Sequence, residues 1–218
     1  MDWLPTAAST YAADLDRMFY IILVITGIIF VGVEGTLLYF LIKYRGRRGR
    51  KAEYIEGSTR AEVIWTVTPA VIVLGLAIAS QGVWRDIKDP DRFPADAIEV
   101  SVQASQFEWN VTYPGADGVF GTDDDFTRRN QLHVPVGQPV VVHLSSEDVI
   151  HSFFVPAFRI KQDVVPGMNG LRAWFEATEV GVFELACAEL CGLGHYRMRA
   201  RVFVHPQDEY ELWMAEQS

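Results

Sequence analysis

The chain has 218 residues and a formal net charge of −9. That length leaves room for one ordinary domain plus something smaller, and the acidic balance speaks against nucleic acid as a partner. Half of the residues are hydrophobic, but unevenly so, and that unevenness sets the first boundaries.

Residues 1–17 carry Asp2, Asp14 and Asp16 against Arg17 alone. This is not the basic n-region of a cleaved signal, and it reads as an external N-terminal segment. Residues 18–44 are apolar apart from Glu34 and Lys43, and residues 61–84 form a second apolar run. Each covers the roughly 20 residues that a membrane span requires. Phe19, Tyr20, Tyr39, Tyr44, Trp65 and Trp84 stand near the ends of these runs, as interfacial aromatics do. A lone buried core helix would explain either run, but the pair predicts a transmembrane hairpin. Glu34 lies within the first span, where it should face a partner subunit or another polar contact.

The loop at residues 45–60 holds Arg45, Arg47, Arg48, Arg50, Lys51 and Arg60 against Glu53 and Glu56. The positive-inside rule makes it cytoplasmic, so both chain ends face the opposite compartment. A bacterial cytoplasmic membrane is expected, with the mitochondrial inner membrane as the alternative. Thr59-Arg-Ala-Glu62, at the start of the second span, fits a capping box.

Residues 85–96 form a polar linker with two prolines. From Arg85 on, 21 acidic residues stand against 11 Lys and Arg. That acidity serves solubility and would also speed encounter with a basic partner. Residues 97–204 alternate in short runs: Ala97 to Tyr113, Gln131–Val134, Pro139–Leu144, Val149–Val155, Leu171–Ala177, Val180–Ala186 and Met198–Val204. Such spacing predicts an all-β sandwich or Greek-key barrel. Between them, Asp117-Gly-Val-Phe-Gly-Thr-Asp123-Asp124-Asp125 resembles a calcium-binding loop, although its spacing is not that of an EF-hand. A short terminal helix is expected in residues 205–218, because Pro206, Asp208 and Glu209 suit a helical first turn.

The chemistry concentrates in Cys187-Ala-Glu189-Leu-Cys191-Gly-Leu-Gly-His195-Tyr-Arg-Met198, with His151 upstream. These are the only two cysteines. A disulfide would explain the thiols but not His195 and Met198 in close register. A structural zinc site has no use for methionine, and inert buried cysteines need no glycine-rich loop. A soft S/N donor set suits copper. One cysteine suffices for a single blue-copper ion, so the second points to two bridged ions with one imidazole on each.

The order His151, Cys187, Glu189, Cys191, His195, Met198 resembles the binuclear copper A centre of the cytochrome c oxidase subunit II family. Ser-Ser-Glu-Asp-Val-Ile-His151-Ser, Lys161-Gln-Asp163-Val-Val-Pro-Gly-Met168 and Glu62-Val-Ile-Trp65-Thr-Val-Thr-Pro69 extend the likeness over most of the chain. The resemblance implies a two-helix transmembrane hairpin followed by a cupredoxin-like Greek-key barrel. It implies copper bridged by Cys187 and Cys191 and ligated by His151 and His195. Met198 and the backbone carbonyl of Glu189 would be the weaker ligands. It further implies that the Glu189 side chain reaches a magnesium or manganese ion shared with subunit I, and that Glu62 opens a proton-uptake path.

Electrons would come from a c-type cytochrome and pass to haem in subunit I, where oxygen is reduced and protons are pumped. This chain alone should show no turnover. The family's surface tryptophan for electron entry falls at Phe107, with Trp109 matching a second aromatic, so the donor is expected to be a dedicated or membrane-tethered cytochrome. No Cys-x-x-Cys-His occurs, so the donor is expected to be a separate protein. A nitrous oxide reductase would require a propeller domain, and a quinol oxidase subunit II would lack the ligands. A copper-storing membrane protein would leave the Glu62–Pro69 motif unexplained.

Overall fold

A computed structural model describes residues 3–52 and 54–217, so Met1, Asp2, Glu53 and Ser218 lie outside the described residues. The chain divides into two units, Asp16–Gly82 and the remainder.

In the first unit the two apolar runs are helices, α1 (Ala12–Lys43) and α2 (Thr59–Lys88), and the apolar window of each is unburied within the chain. Thirty residues rise about 45 Å, more than the roughly 30 Å of a bilayer core. Helix α1 starts six residues ahead of the apolar run, because Ala12 is already buried against the barrel. The cap of α2 also differs from expectation. Ser58, not Thr59, receives a backbone N–H, that of Ala61 at 3.4 Å. Glu62 therefore sits one residue beyond the box position, as a first-turn acid that suits the helix dipole.

The second unit is built on two five-stranded sheets. In chain order, β1 (Ile98–Ser105), β2 (Glu108–Tyr113), β3 (Phe126–Arg129), β4 (Gln131–Pro135), β5 (Pro139–Ser146), β6 (His151–Val155), β7 (Ile160–Val164), β8 (Leu171–Glu176), β9 (Gly181–Cys187) and β10 (Arg199–His205) are divided between them. The sheets run β3-β2-β1-β5-β8 and β4-β10-β9-β6-β7, with β1/β5 and β4/β10 parallel and the other pairs antiparallel. This is the expected cupredoxin-like Greek-key arrangement, closed by helix α3 (Gln207–Ala215). Val100, Val102, Trp109 and Val111 from one sheet meet Leu132, Phe153, Leu185 and Val202 from the other in a fully buried core.

Ala97 to Tyr113 is a hairpin, not one strand. Val100, Val102 and Ala104 point inward at even positions, Trp109, Val111 and Tyr113 at odd ones. A period-two pattern can change parity in this way only across a break, and Gln106 and Phe107 form that break. Strands β3 and β7 escape a periodicity reading because β3 buries no residue and β7 has apolar side chains only at its two ends.

The residues ahead of α1 are stitched to the barrel. Ala8 N–H bonds to Ala157 carbonyl at 2.8 Å and Thr10 N–H to Glu176 carbonyl at 3.1 Å. Ser9 Oγ donates to Phe158 carbonyl and Tyr11 Oη to Trp174 carbonyl, both at 2.8 Å.

Under α3, the His133 ring lies between Phe203 (4.5 Å) and Trp213 (4.2 Å), with its Nδ1 2.9 Å from His205 Nε2. Burial, then His205 and Arg128, lower the pKa of His133 to about 4. A histidine depressed in this way stabilises the fold fully above its ordinary pKa near 6.5. The contribution shrinks as pH falls below that value and is gone once pH has passed about 4, a loss of about 3 kcal/mol. The denaturation midpoint of the detergent-solubilised chain should therefore drop between pH 6.5 and 4, and His133→Phe should flatten that drop. Parallel curves for the two proteins would refute the assignment.

Candidate metal centre

Three elements converge on one site. Strand β6 opens on His151, strand β9 closes on Cys187, and the loop 188–198 returns the chain to β10. His151 is fully buried, and Cys187, Cys191 and Met198 are buried beside it. The His151, Cys187 and Cys191 ligand atoms all lie within 4.8 Å of one another.

The donor atoms of these residues lie close to one another. The two Sγ atoms are 3.9 Å apart and both thiols are free, so the disulfide alternative does not describe this state. His151 Nδ1 lies 3.9 Å from Cys187 Sγ, and His195 Nδ1 lies 3.6 Å from Cys191 Sγ. Met198 Sδ stands 3.6 Å from Cys191 Sγ, and the Glu189 carbonyl 3.2 Å from Cys187 Sγ. Two thiols, two imidazole nitrogens, a thioether and a carbonyl thus converge on one small volume. Their chemistry fits soft-metal ligation. Burial, then the neighbouring Cys187, push the Cys191 thiol up to about 12. Loading a metal must therefore displace protons.

The loop's shape depends on its glycines. A Cβ on Gly194 would lie 2.4 Å from Cδ2 of Phe107, and Gly192 has φ +132°. Phe107 lies over this loop with the Arg197 guanidinium 5.9 Å from its ring. Phe107 is half-buried, whereas Trp109 is fully buried, with its ring edge-on to His151 at 6.2 Å. The two electron-entry candidates are thereby separated: one borders solvent and the other belongs to the core.

Sequence reasoning missed two supporting residues. Asp148 Oδ1 accepts His151 Nε2 at 2.8 Å and Val149 N–H at 2.7 Å, while Oδ2 accepts Gln106 N–H at 2.7 Å. Burial opposes its ionisation, but these bonds, led by His151, outweigh it and hold the carboxyl below its usual range. The bond to Nε2 leaves Nδ1 as the free donor atom. Gln106 also donates Nε2 to the Cys191 carbonyl, tying the β1–β2 turn to the metal loop. A carboxylate three residues before a ligand histidine was the available signal for Asp148. Asp148→Asn is expected to weaken copper binding about 10- to 100-fold. Copper titration of the thiol-to-metal absorption checks this, and unchanged affinity would remove Asp148 from the centre.

The Lys161-Gln-Asp163 motif finds its place on β7, where Asp163 pairs with Ser152 beside His151. Ser152 Oγ donates to Asp163 Oδ1 at 2.7 Å, and Ser152 carbonyl accepts Ala188 N–H at 3.1 Å. The Glu189 side chain is exposed, as is Glu62.

The acidic loop is not arranged as a cation site. Asp117 Oδ1 accepts Val119 N–H, Asp124 accepts Thr122 Oγ1 and Asp117 N–H, and Asp125 Oδ2 accepts Gly121 N–H. These carboxylates hold the turn itself.

Comparison with known proteins agrees with the geometry. Residues 120–204 match the periplasmic domain of cytochrome c oxidase subunit II, and residues 2–83 match its transmembrane domain. The chain is 33% identical to the alternative cytochrome c oxidase subunit 2 of Bradyrhizobium diazoefficiens, over 99% of this chain and 84% of that protein. It is 33% identical to cytochrome c oxidase subunit 2 of Thermostichus vulcanus, over 96% and 77%. The crystal structure of the periplasmic domain of subunit II of cytochrome oxidase (CoxB) of Bradyrhizobium japonicum superposes with a TM-score of 0.50 at 29% identity. That match spans 57% of this chain and 95% of the other.

Proposed function

This chain belongs to the cytochrome c oxidase subunit II family and is thus a membrane subunit of a haem–copper oxidase, an oxidoreductase complex; from that premise we propose that it relays single electrons from a c-type cytochrome to haem in subunit I. Oxygen reduction and proton pumping take place in subunit I. The observation that carries this reading is the convergence of six donors on the volume bounded by Cys187 and Cys191.

Bound there, a pair of coppers supplies a one-electron couple. The residues themselves do the rest. Cys187 and Cys191 would hold the pair as thiolates, with His151 and His195 as its nitrogen donors. Met198 Sδ and the Glu189 carbonyl would be the weaker donors. Asp148 fixes the tautomer of His151, and Gln106 holds the Cys191 backbone. A ligand set held by two strands and the loop anchored between them moves little when its charge changes, which favours electron transfer without bond making.

Leu190, Leu193 and Tyr196 project from the ligand loop, 77%, 97% and 85% exposed. Such a surface suits a partner that must come close to the centre. Phe107, at the edge of that loop, is the proposed point of electron entry. The domain's excess of acid suits a basic donor, whether tethered or free. The basic loop between the spans supports an orientation with the barrel and both termini outside, on the periplasmic side of a bacterial cytoplasmic membrane. The exposed Glu189 carboxylate is proposed as one ligand of a magnesium or manganese ion shared with subunit I, and Glu62 as the mouth of a proton path.

The test is electron paramagnetic resonance of the copper-loaded chain. A hyperfine pattern from one unpaired electron shared equally by two coppers supports the reading. A mononuclear pattern sinks it.

A further inference from the structure

Glu34 is the one carboxylate within the apolar stretch of α1. Nine residues separate it from Lys43, a rise of about 13 Å, and sixteen separate it from Met18, about 24 Å. In a hydrocarbon layer about 30 Å thick, Glu34 lies deep on either count. Its short stem cannot carry the carboxyl to the headgroups, as the longer stem of Lys43 can carry its amine.

Its own chain offers it nothing. Glu34 is exposed, and no hydrogen bond or ion pair reaches it among the described residues. The neighbours on its face, Phe30, Val31, Leu37 and Leu38, are all apolar and at least half exposed. The hydroxyls of Thr26 and Thr36 bond back to Ile22 and Gly32 of the same helix. A carboxyl in hydrocarbon without a hydrogen-bonding partner is costly enough that such residues face a protein interior.

We propose that Glu34 is a docking contact, engaged by a hydrogen-bond-donating side chain on a transmembrane helix of an adjacent oxidase subunit. The apolar residues around it form the rest of that interface. Complementarity selects the occupant, because the carboxyl needs an N–H or O–H donor. Lipid tails offer none, and a second copy of α1 would bring a second carboxyl of the same kind to be satisfied. This inference rests on the reading that the chain is assembled with other oxidase subunits in a membrane.

The test compares wild type, E34Q and E34L in the complete oxidase, purified in mild detergent and then challenged with a harsher one. E34L makes the span more apolar, so its loss from the complex cannot be blamed on failed insertion. Subunit II should dissociate at least tenfold faster in E34L than in wild type, with the copper spectrum of the released subunit unchanged. E34Q, which keeps hydrogen-bonding capacity, should stay within about threefold of wild type if the partner is neutral, or fall to the E34L level if it is a cation. E34L dissociating as slowly as wild type would overturn the proposal. If wild type itself failed to co-purify with the haem subunit, the assembly reading would fall, and this inference with it.

Discussion

Cys191→Ser is expected to abolish the binuclear copper signal and to cut cytochrome-dependent oxygen uptake by the assembled oxidase by at least about 100-fold, beyond the 10- to 100-fold typical of outer-shell changes. Cys191 is the residue on which most of the donors converge. Its Sγ lies 3.9 Å from Cys187 Sγ, 3.6 Å from His195 Nδ1 and 3.6 Å from Met198 Sδ. A hydroxyl is a harder and weaker bridging ligand than a thiolate, so at most one ion should remain on Cys187 and His151. The readouts are copper content per chain, the paramagnetic spectrum and oxygen uptake. Two coppers per chain with an intact mixed-valence spectrum would contradict the bridging role. Uptake driven by a small artificial reductant that feeds haem directly should survive, which separates a relay defect from a failure of assembly.

The second large effect divides the two aromatic candidates. Trp109→Ala is expected to cost about 3–5 kcal/mol of barrel stability, a large share of the total for an ordinary domain. Trp109 is fully buried and packs edge-on against Phe153 at 5.9 Å as well as against His151. Trp109→Phe should cost much less, because it keeps most of the volume and removes an indole N–H that has no hydrogen-bond partner among the described residues. Phe107→Ala should leave the fold nearly intact but slow donor oxidation on the order of tenfold, the loss of one interface anchor of about 1.4 kcal/mol. Thermal denaturation and stopped-flow oxidation of reduced donor, run on the same variants, distinguish the cases. Equal donor rates for Phe107→Ala and wild type would move electron entry elsewhere.

The cluster of candidate ligands was legible because five of its six members lie within twelve consecutive residues, where spacing alone suggests the chemistry. His151 needed the family motif, since nothing local marks a histidine at the start of a strand as a ligand. The hairpin of helices was legible from length and apolarity. Other features were hidden for physical reasons. The β1–β2 turn shows only as a change of parity at Gln106 and Phe107. Asp148 looks like any loop acid until its three hydrogen bonds are seen. In the acidic loop, counting carboxylates says nothing about which of them backbone N–H groups engage. His133 and His205 lie 72 residues apart and meet only because β4 and β10 are parallel neighbours.

The strap ahead of α1 has a consequence for how the chain is made. Ser9 leaves the ribosome 149 residues before Phe158, its hydrogen-bond partner. At about 5–20 residues per second, that is a delay of roughly 7–30 s. Throughout this interval the first span can be in place while the strap has no barrel to hold. The last contacts to form then join the earliest residues made to strands from the final third of the chain. Closure of the strap therefore waits until residues 157–178, which hold its hydrogen-bond partners, have been made.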